Sequence, residues 1–376
     1  MKRGVRLAAG ALALAVAAGA LTLGLWSDGM PNDNFPPSTA APGSIPLAVL
    51  GDSNSHSYQD HAWFPAGGGE RGGPLRSRTF QWTEVLAKLR GQQVDLGPWV
   101  RWGRPGVVAL AREWMGLPGG RAPLKEDYLY NFANSGASCK NLMDGRFRQA
   151  PRLVALMDQD PERWKRGAVV IRIGFNDWGG SVDLQASDPT AAPLREATAR
   201  CAGDIGAAVA LIRRTHPSTR IMLVGIGNEA DDPANFERWA SADATRNIDT
   251  ALGGFNGAIR RLAEGDAQVA YFDDLAWFRS KWGTRAADGR PDYKAVELGP
   301  SLRVANAIGD DPRNSFLEDR HPGLVFNAMW AQSLVARLRD DFGLPLTPIG
   351  DEELLGFLGP LVTAAPPSGS AKAPGS

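Results

Sequence analysis

A serine placed just past an apolar run is the first feature of this chain that carries chemistry. Pro46-Leu47-Ala48-Val49-Leu50-Gly51 gives way to Asp52-Ser53-Asn54-Ser55, so a hydroxyl follows directly on what reads as a strand buried on both faces. Ser53 is the candidate nucleophile. A serine hydroxyl is weak unless a base sits within hydrogen-bond reach, and imidazole suits that task near neutral pH. The chain holds four histidines: His56, His61, His216 and His321. His56 lies one helical turn beyond Ser53, so its ring should run along the same helix, away from the hydroxyl. His61 falls in an irregular insertion. His216 precedes Pro217 at a helix end, on the far side of the sheet, and reads as a surface residue. His321 stands in Phe316-Leu317-Glu318-Asp319-Arg320-His321-Pro322-Gly323 with carboxylates immediately before it, and is the best candidate.

Two further residues suit the charge that develops on a carbonyl oxygen under attack. Gly136 lies in Asn134-Ser135-Gly136-Ala137-Ser138, where a glycine past a strand lets backbone approach a ligand and aim its N–H at it. Asn176 lies in Gly174-Phe175-Asn176-Asp177-Trp178 and offers an uncharged NH₂ donor. Both also fit plainer roles, a turn glycine and a capping asparagine.

The elements that must position these residues alternate along the chain. Strands are expected at 46–51, Tyr128–Ala133, Ala168–Ile173, Arg220–Gly225 and Val269–Phe272. Helices are expected at Trp82–Arg90, Val107–Met115, Leu153–Met157, Leu194–Arg214, Ile248–Leu262 and Leu324–Arg339. Alternation of this kind argues for an α/β fold, a three-layer α/β/α sandwich around a mainly parallel, flavodoxin-like sheet. Residues 56–127 form a long Trp- and Gly-rich insertion holding Trp63, Trp82, Trp99, Trp102 and Trp114. Most of these should be core anchors, with one or two free to stack on a sugar at the mouth of the site. Residues 273–317 read as a second long loop, a length that tends to carry function.

Composition narrows the classes. With 376 residues and 43% hydrophobic content the chain can bury a full core, and Lys+Arg equals Asp+Glu at 41 each, so no global field draws it to nucleic acid. Lys2, Arg3 and Arg6 precede an uncharged apolar run over residues 7–26, the composition of a signal peptide or an N-terminal membrane anchor. Either places the rest outside the cytoplasm, periplasmic or extracellular, with the membrane touched only through that segment if it is uncleaved. The expected organisation is 1–26 signal or anchor, 27–45 linker, 46–345 catalytic domain and 346–376 a tail, largely disordered after a short helical piece near Leu354. Asp231-Asp232, Asp273-Asp274 and Asp310-Asp311 resemble metal pairs but fit caps and solvated groups better. With no His/Cys ligand spacing and no phosphate loop, neither metal nor cofactor is implied. Cys139 and Cys201, the only two cysteines, can pair as a disulfide in an exported protein or remain as two buried thiols.

Taken in order, Gly51-Asp52-Ser53, Gly136, Gly174-Phe175-Asn176-Asp177 and His321-Pro322 resemble the SGNH (GDSL-type) serine hydrolases, over Pro46 to about Gly343. The resemblance implies that Ser53 attacks an ester carbonyl while His321 takes its proton and returns it to the leaving alcohol. The backbone N–H groups of Ser53 and Gly136 and the Asn176 amide would hold the oxyanion, with Gly51, Asp52, Gly174 and Asp177 in support. The family usually has Asp three residues before the histidine; here Glu318 stands there and Asp319 follows. Glu318 is the favoured partner for the imidazole, Asp319 the alternative, and a dyad resting on a backbone carbonyl a third. The expected activity is an exported esterase for small acyl groups such as acetyl, with a glycan or small-molecule ester as substrate. An acyltransferase using the same residues and a non-catalytic glycan-binding protein are the rivals.

Overall fold

The computed structural model describes residues 40–65, 67–300 and 302–363. The apolar run after Ser44 forms β1 (Ile45–Gly51), buried along its whole length. It is followed by α1 (Trp82–Arg90), β2 (Val94–Asp95), α2 (Gly106–Trp114), α3 (Gln149–Met157) and β3 (Ala168–Arg172). Then come α4 (Ala192–Thr215), β4 (Arg220–Val224), α5 (Ala242–Arg261), β5 (Val269–Phe272), α6 (Asp274–Trp282), α7 (Leu324–Phe342) and α8 (Asp351–Thr363). The five strands form one sheet in the order β2-β1-β3-β4-β5, and every neighbouring pair is parallel. That is the doubly wound arrangement expected of the sequence, and its chain reversal beside β1 puts a crevice at the carboxyl ends of β1 and β3.

Alternate residues of each strand feed two cores. Leu47, Val49, Val170 and Met222 pack under α1, α6, α7 and α8. Ala48, Leu50, Val169, Ile171 and Leu223 pack under α3, α4 and α5. Period-two patterning vanishes from such strands because both faces are dry.

Three expectations change here. Residues 129–133 are not a strand: Val49 meets them through a single bridge with Asn131, and Tyr128 ends a strand that pairs with Trp99–Trp102 instead. The carbonyls at the two ends of 128–133 are taken by buried cations. The Arg121 guanidinium donates to Tyr128 O at 2.9 Å and the Lys125 ammonium to Ala133 O at 2.6 Å. Burial pushes Arg121 down to about 10, which still leaves it charged. Second, 273–317 is not a structureless loop, since Asp273 caps α6 through Ala276 N at 2.9 Å and Trp277, Phe278 and Trp282 bury its length. The buried face of this helix carries the charged Asp274 beside its aromatics, which interrupts the apolar stripe that would mark it in the sequence. Third, the helical piece expected near Leu354 belongs to the folded domain and not to a tail: Leu354, Leu358 and Val362 of α8 are buried in the core, and Glu353 pairs with Arg90 at 2.6 Å. The rest of that tail beyond Thr363, and the apolar segment over residues 7–26, lie outside the described residues. No helix among the described residues is long and apolar enough to cross a membrane.

Cys139 and Cys201 are joined as a disulfide, 62 residues apart in sequence. It ties the loop after Gly136 to α4. Replacing both cysteines by alanine is expected to lower stability by about 2–4 kcal/mol, read as a lower urea midpoint.

Candidate active site

The turn after β1 is held from three sides. Gln149 on α3 accepts from Gly51 N at 2.8 Å and donates to Gly51 O at 2.9 Å. A Cβ at Gly51 would stand 2.5 Å from Arg172 O, so only glycine lets the two strand ends lie this close. Below the turn, Arg172 donates to Asn54 O at 3.1 Å, pairs with Asp274 at 2.9 Å and lies 4.3 Å over the Trp330 ring. Asp52 is buried beneath Ser53 and accepts from Asn54 N at 2.9 Å; burial pushes its carboxyl up to about 6, against the pull of that bond and of Arg172. Ser53 is left half-buried, facing a cavity of ≈ 370 Å³.

Gly136 and Asn176 line the same cavity. Gly136 has φ 74 and open space where a side chain would be, so its backbone reaches the cavity uncovered. The Asn176 amide donates to Ala137 O at 2.8 Å, which spends one of its two N–H bonds and orients the other. Gly174, at φ 122, packs where a Cβ would come 2.9 Å from Phe255. Asp177 accepts from Cys139 N at 2.8 Å, clamping the Asn176 turn to the Gly136 loop beside the disulfide.

His321 closes the cavity from the opposite side. Its Nδ1 lies 3.2 Å from Asp319 Oδ1 and 3.0 Å from Asp319 O. Asp319, and not Glu318, is therefore the carboxylate within reach of the imidazole. The reason is local: Arg320 takes φ 66, a left-handed turn that folds the Asp319 side chain back onto His321. Glu318 is exposed, and only its backbone N–H is engaged, to Asp310 at 3.2 Å. Burial alone would raise Asp319; the hydrogen bond and charge of His321 and the charge of Arg71 outweigh it and hold the carboxyl well below the usual range. Tyr58 OH and the Asn327 amide both donate to Pro322 O at 2.9 Å, fixing the backbone behind the ring. Among the described residues the Ser53 hydroxyl has no hydrogen-bond partner, so serine and imidazole share the cavity without yet being bonded, a looseness common before substrate binds.

The other histidines do different things. His56 is fully buried, and its Nε2 meets Asp60 at 2.8 Å while Nδ1 accepts from Ser135 N at 3.1 Å. Burial, with the charge of Lys125, drives it far below its ordinary value, so it is neutral. His216 is not a surface residue; it is buried at the end of α4 with Nε2 2.9 Å from Asp158. None of the five tryptophans of the insertion lines the cavity; its aromatic wall is Phe175, Phe278, Phe316 and Phe326. The paired aspartates serve as caps and ion pairs, Asp232 holding Ala234 N at 2.9 Å and Arg320 at 2.7 Å.

One residue was missed by reading the sequence. Arg71, flanked by glycines in the insertion, is 2% exposed and forms an ion pair with Asp319. Its flanking Gly-rich stretch reads only as loop, and nothing local marks the side chain as buried.

A family model, "GDSL-like Lipase/Acylhydrolase", matches residues 47–334. The chain belongs to this family. Membership brings acyl hydrolysis as the general activity. Solved structures with a similar course include an extracellular lipase from Streptomyces rimosus, at 14% identity and TM-score 0.37, covering 80% of this chain and 97% of that one. An acetylxylan esterase from Geobacillus stearothermophilus matches at 13% identity and TM-score 0.30, over 68% of this chain and 89% of that one. A phospholipase A1 from Streptomyces albidoflavus matches at 15% and 0.34, over 62% and 81%. No curated protein matches the sequence.

The two acidic neighbours separate cleanly by mutation. Asp319→Asn is expected to lower kcat by about 10²–10⁴-fold, whereas Glu318→Gln should hydrolyse a short aryl ester at the wild-type rate.

Proposed function

We propose that this acyl hydrolase is an exported serine esterase that removes small acyl groups, such as acetyl, from a hydroxyl-rich, glycan-like alcohol. The observation that carries the reading is the presence of Ser53, His321, Gly136 and Asn176 around one cavity of ≈ 370 Å³. That volume is near the lower end for ligand pockets, roughly 300–1,000 Å³, and favours a short acyl group with one sugar-sized alcohol over a long chain. Four phenylalanines give the acyl group an apolar wall. Asn228, Glu229, Asp232 and Arg320 line the same cavity and give it polar groups that can meet the hydroxyls of an alcohol. Export is supported by the basic residues ahead of the apolar run at 7–26 and by the disulfide.

In the proposed mechanism His321 Nε2 accepts the Ser53 proton as Oγ bonds to the ester carbon. The negative charge that passes to the carbonyl oxygen is met by the N–H groups of Ser53 and Gly136 and by the free N–H of Asn176. The imidazolium, stabilised by Asp319, then gives its proton to the departing alkoxide, leaving acyl-Ser53. Water attacks that ester by the same route, with His321 taking its proton and returning it to Oγ.

Asn176→Ala should reduce kcat by about 10²–10³-fold with little change in KM; a change in KM alone would argue against oxyanion binding. With the wild type, acetylated xylooligosaccharides should be cleaved at higher kcat/KM than esters of eight or more carbons. A preference for the long chains would overturn the substrate class, and acyl transfer to an added sugar outpacing hydrolysis would make it a transferase.

A further inference from the structure

The contacts of Arg71 go beyond a salt bridge. Its backbone N–H donates to Asp319 Oδ2 at 2.9 Å, and its Nη1 both pairs with that same oxygen and stands 2.9 Å from His321 Nδ1. Its Nη2 donates to Ser135 Oγ at 3.2 Å, and the guanidinium carbon sits 4.4 Å over the Phe64 ring. Ser135 is in turn bonded to the neutral His56. Both terminal nitrogens are thus engaged, with Nε alone left without a partner, and these contacts hold the charge beside the imidazole.

Two consequences follow for His321. Nδ1 faces two acceptors, Asp319 O and Oδ1, and one obligate donor, Arg71 Nη1. A proton on Nδ1 satisfies both acceptors and leaves Nε2 as the base, while Arg71 turns its donor to the carboxylate. An unprotonated Nδ1 would place a lone pair against two oxygens for the sake of one bond. The second consequence is electrostatic. An aspartate alone beside a histidine favours the imidazolium and makes the base harder to keep unprotonated. A cation bonded to that aspartate cancels much of its field. The other charges round the ring are Arg320, paired with Asp232 and with Glu229, Arg172, paired with Asp274, and the carboxylates Asp310 and Glu318, whose charges act on one another and on Asp319.

We propose that Arg71 is a positioning residue for the hydrolytic reaction: it orients Asp319 toward Nδ1 of His321 and, by offsetting the carboxylate charge, keeps His321 unprotonated and active at lower pH than an aspartate–histidine couple alone would allow. This rests on the Ser53–His321 esterase reading. Removing the charge at 71 therefore moves the acid limb of the kcat/KM profile upward, because a base of raised proton affinity is freed only at higher pH.

The test is the pH profile of a short aryl ester for the wild type, R71M and R71K. R71M should shift the acid limb up by about one pH unit, with a fall in kcat and little change in KM, and R71K should leave the limb in place. A limb unmoved in R71M, or moved equally in R71K, overturns the proposal. Melting curves accompany each variant, and R71Q replaces R71M if the latter does not fold. In the wild type itself, ¹⁵N NMR of His321 above the acid limb should show the proton on Nδ1; a proton on Nε2 overturns the orienting role without any variant. S53A separates the two readings. Activity surviving in S53A sinks the esterase assignment, whereas its loss in S53A with an unmoved limb in R71M sinks only the role of Arg71.

Discussion

Everything at the candidate site stands on a charge buried beneath the turn that carries Ser53. Arg172 leaves the end of β3 and reaches under Ser53, where it is paired with Asp274 and laid on Trp330. Trp330 Nε1 donates to the other Asp274 oxygen at 2.6 Å, so the carboxylate has a partner on each side. Burying an ion pair rarely adds net stability, but removing one partner strands the other at a cost of about 3–5 kcal/mol. Such a cluster therefore has essentially one arrangement, and the Asn54 carbonyl it grips fixes the turn that carries Ser53. The stacked strands supply the same rigidity from above, since Gly51 and Arg172 approach too closely for any side chain.

The two halves of the site are held by different physics. On the nucleophile side, backbone geometry dominates: strand ends, glycines at φ 74 and φ 122, and a disulfide that fastens the Gly136 loop to α4. On the base side, charge dominates. Asp319 is kept ionised by His321 and Arg71 in spite of its burial, and Arg71 comes from a part of the chain some 250 positions earlier. The insertion over residues 56–127 is thus tied to Asp319 and His321 by a guanidinium. Its tryptophans are spent elsewhere: Trp82 lies in the core against Trp330, with ring centroids 4.9 Å apart, and Trp114 stands 88% exposed away from the cavity.

Much of this is legible in the residues alone. The helix at Trp82–Arg90 and the strand at Val269–Phe272 fall where their apolar spacing puts them, because each has a dry face that the pattern records. Ser53, Gly136, Asn176 and His321, which line one cavity, are each picked out in the sequence as a polar or glycine residue just past an apolar run or in a late polar loop. What escapes is set by long-range or backbone effects. Choosing Asp319 over Glu318 depends on a left-handed φ at Arg320, an arginine that no turn rule marks for it. Tyr128–Ala133 has the aromatic content of a strand, yet Arg121 and Lys125 claim its carbonyls. Helix α6 carries Asp274 on its buried face, which breaks the apolar stripe that would announce it, whereas the helical piece near Leu354 shows in the sequence and only its length does not.

Ser53 should be modified covalently only when His321 is there to take its proton. A fluorophosphonate probe, with the adduct mapped by mass spectrometry, measures this most directly. A single adduct on Ser53 is expected in the wild type and almost none in H321A at equal probe and time. An adduct on another residue, or labelling of Ser53 undiminished in H321A, would contradict that expectation.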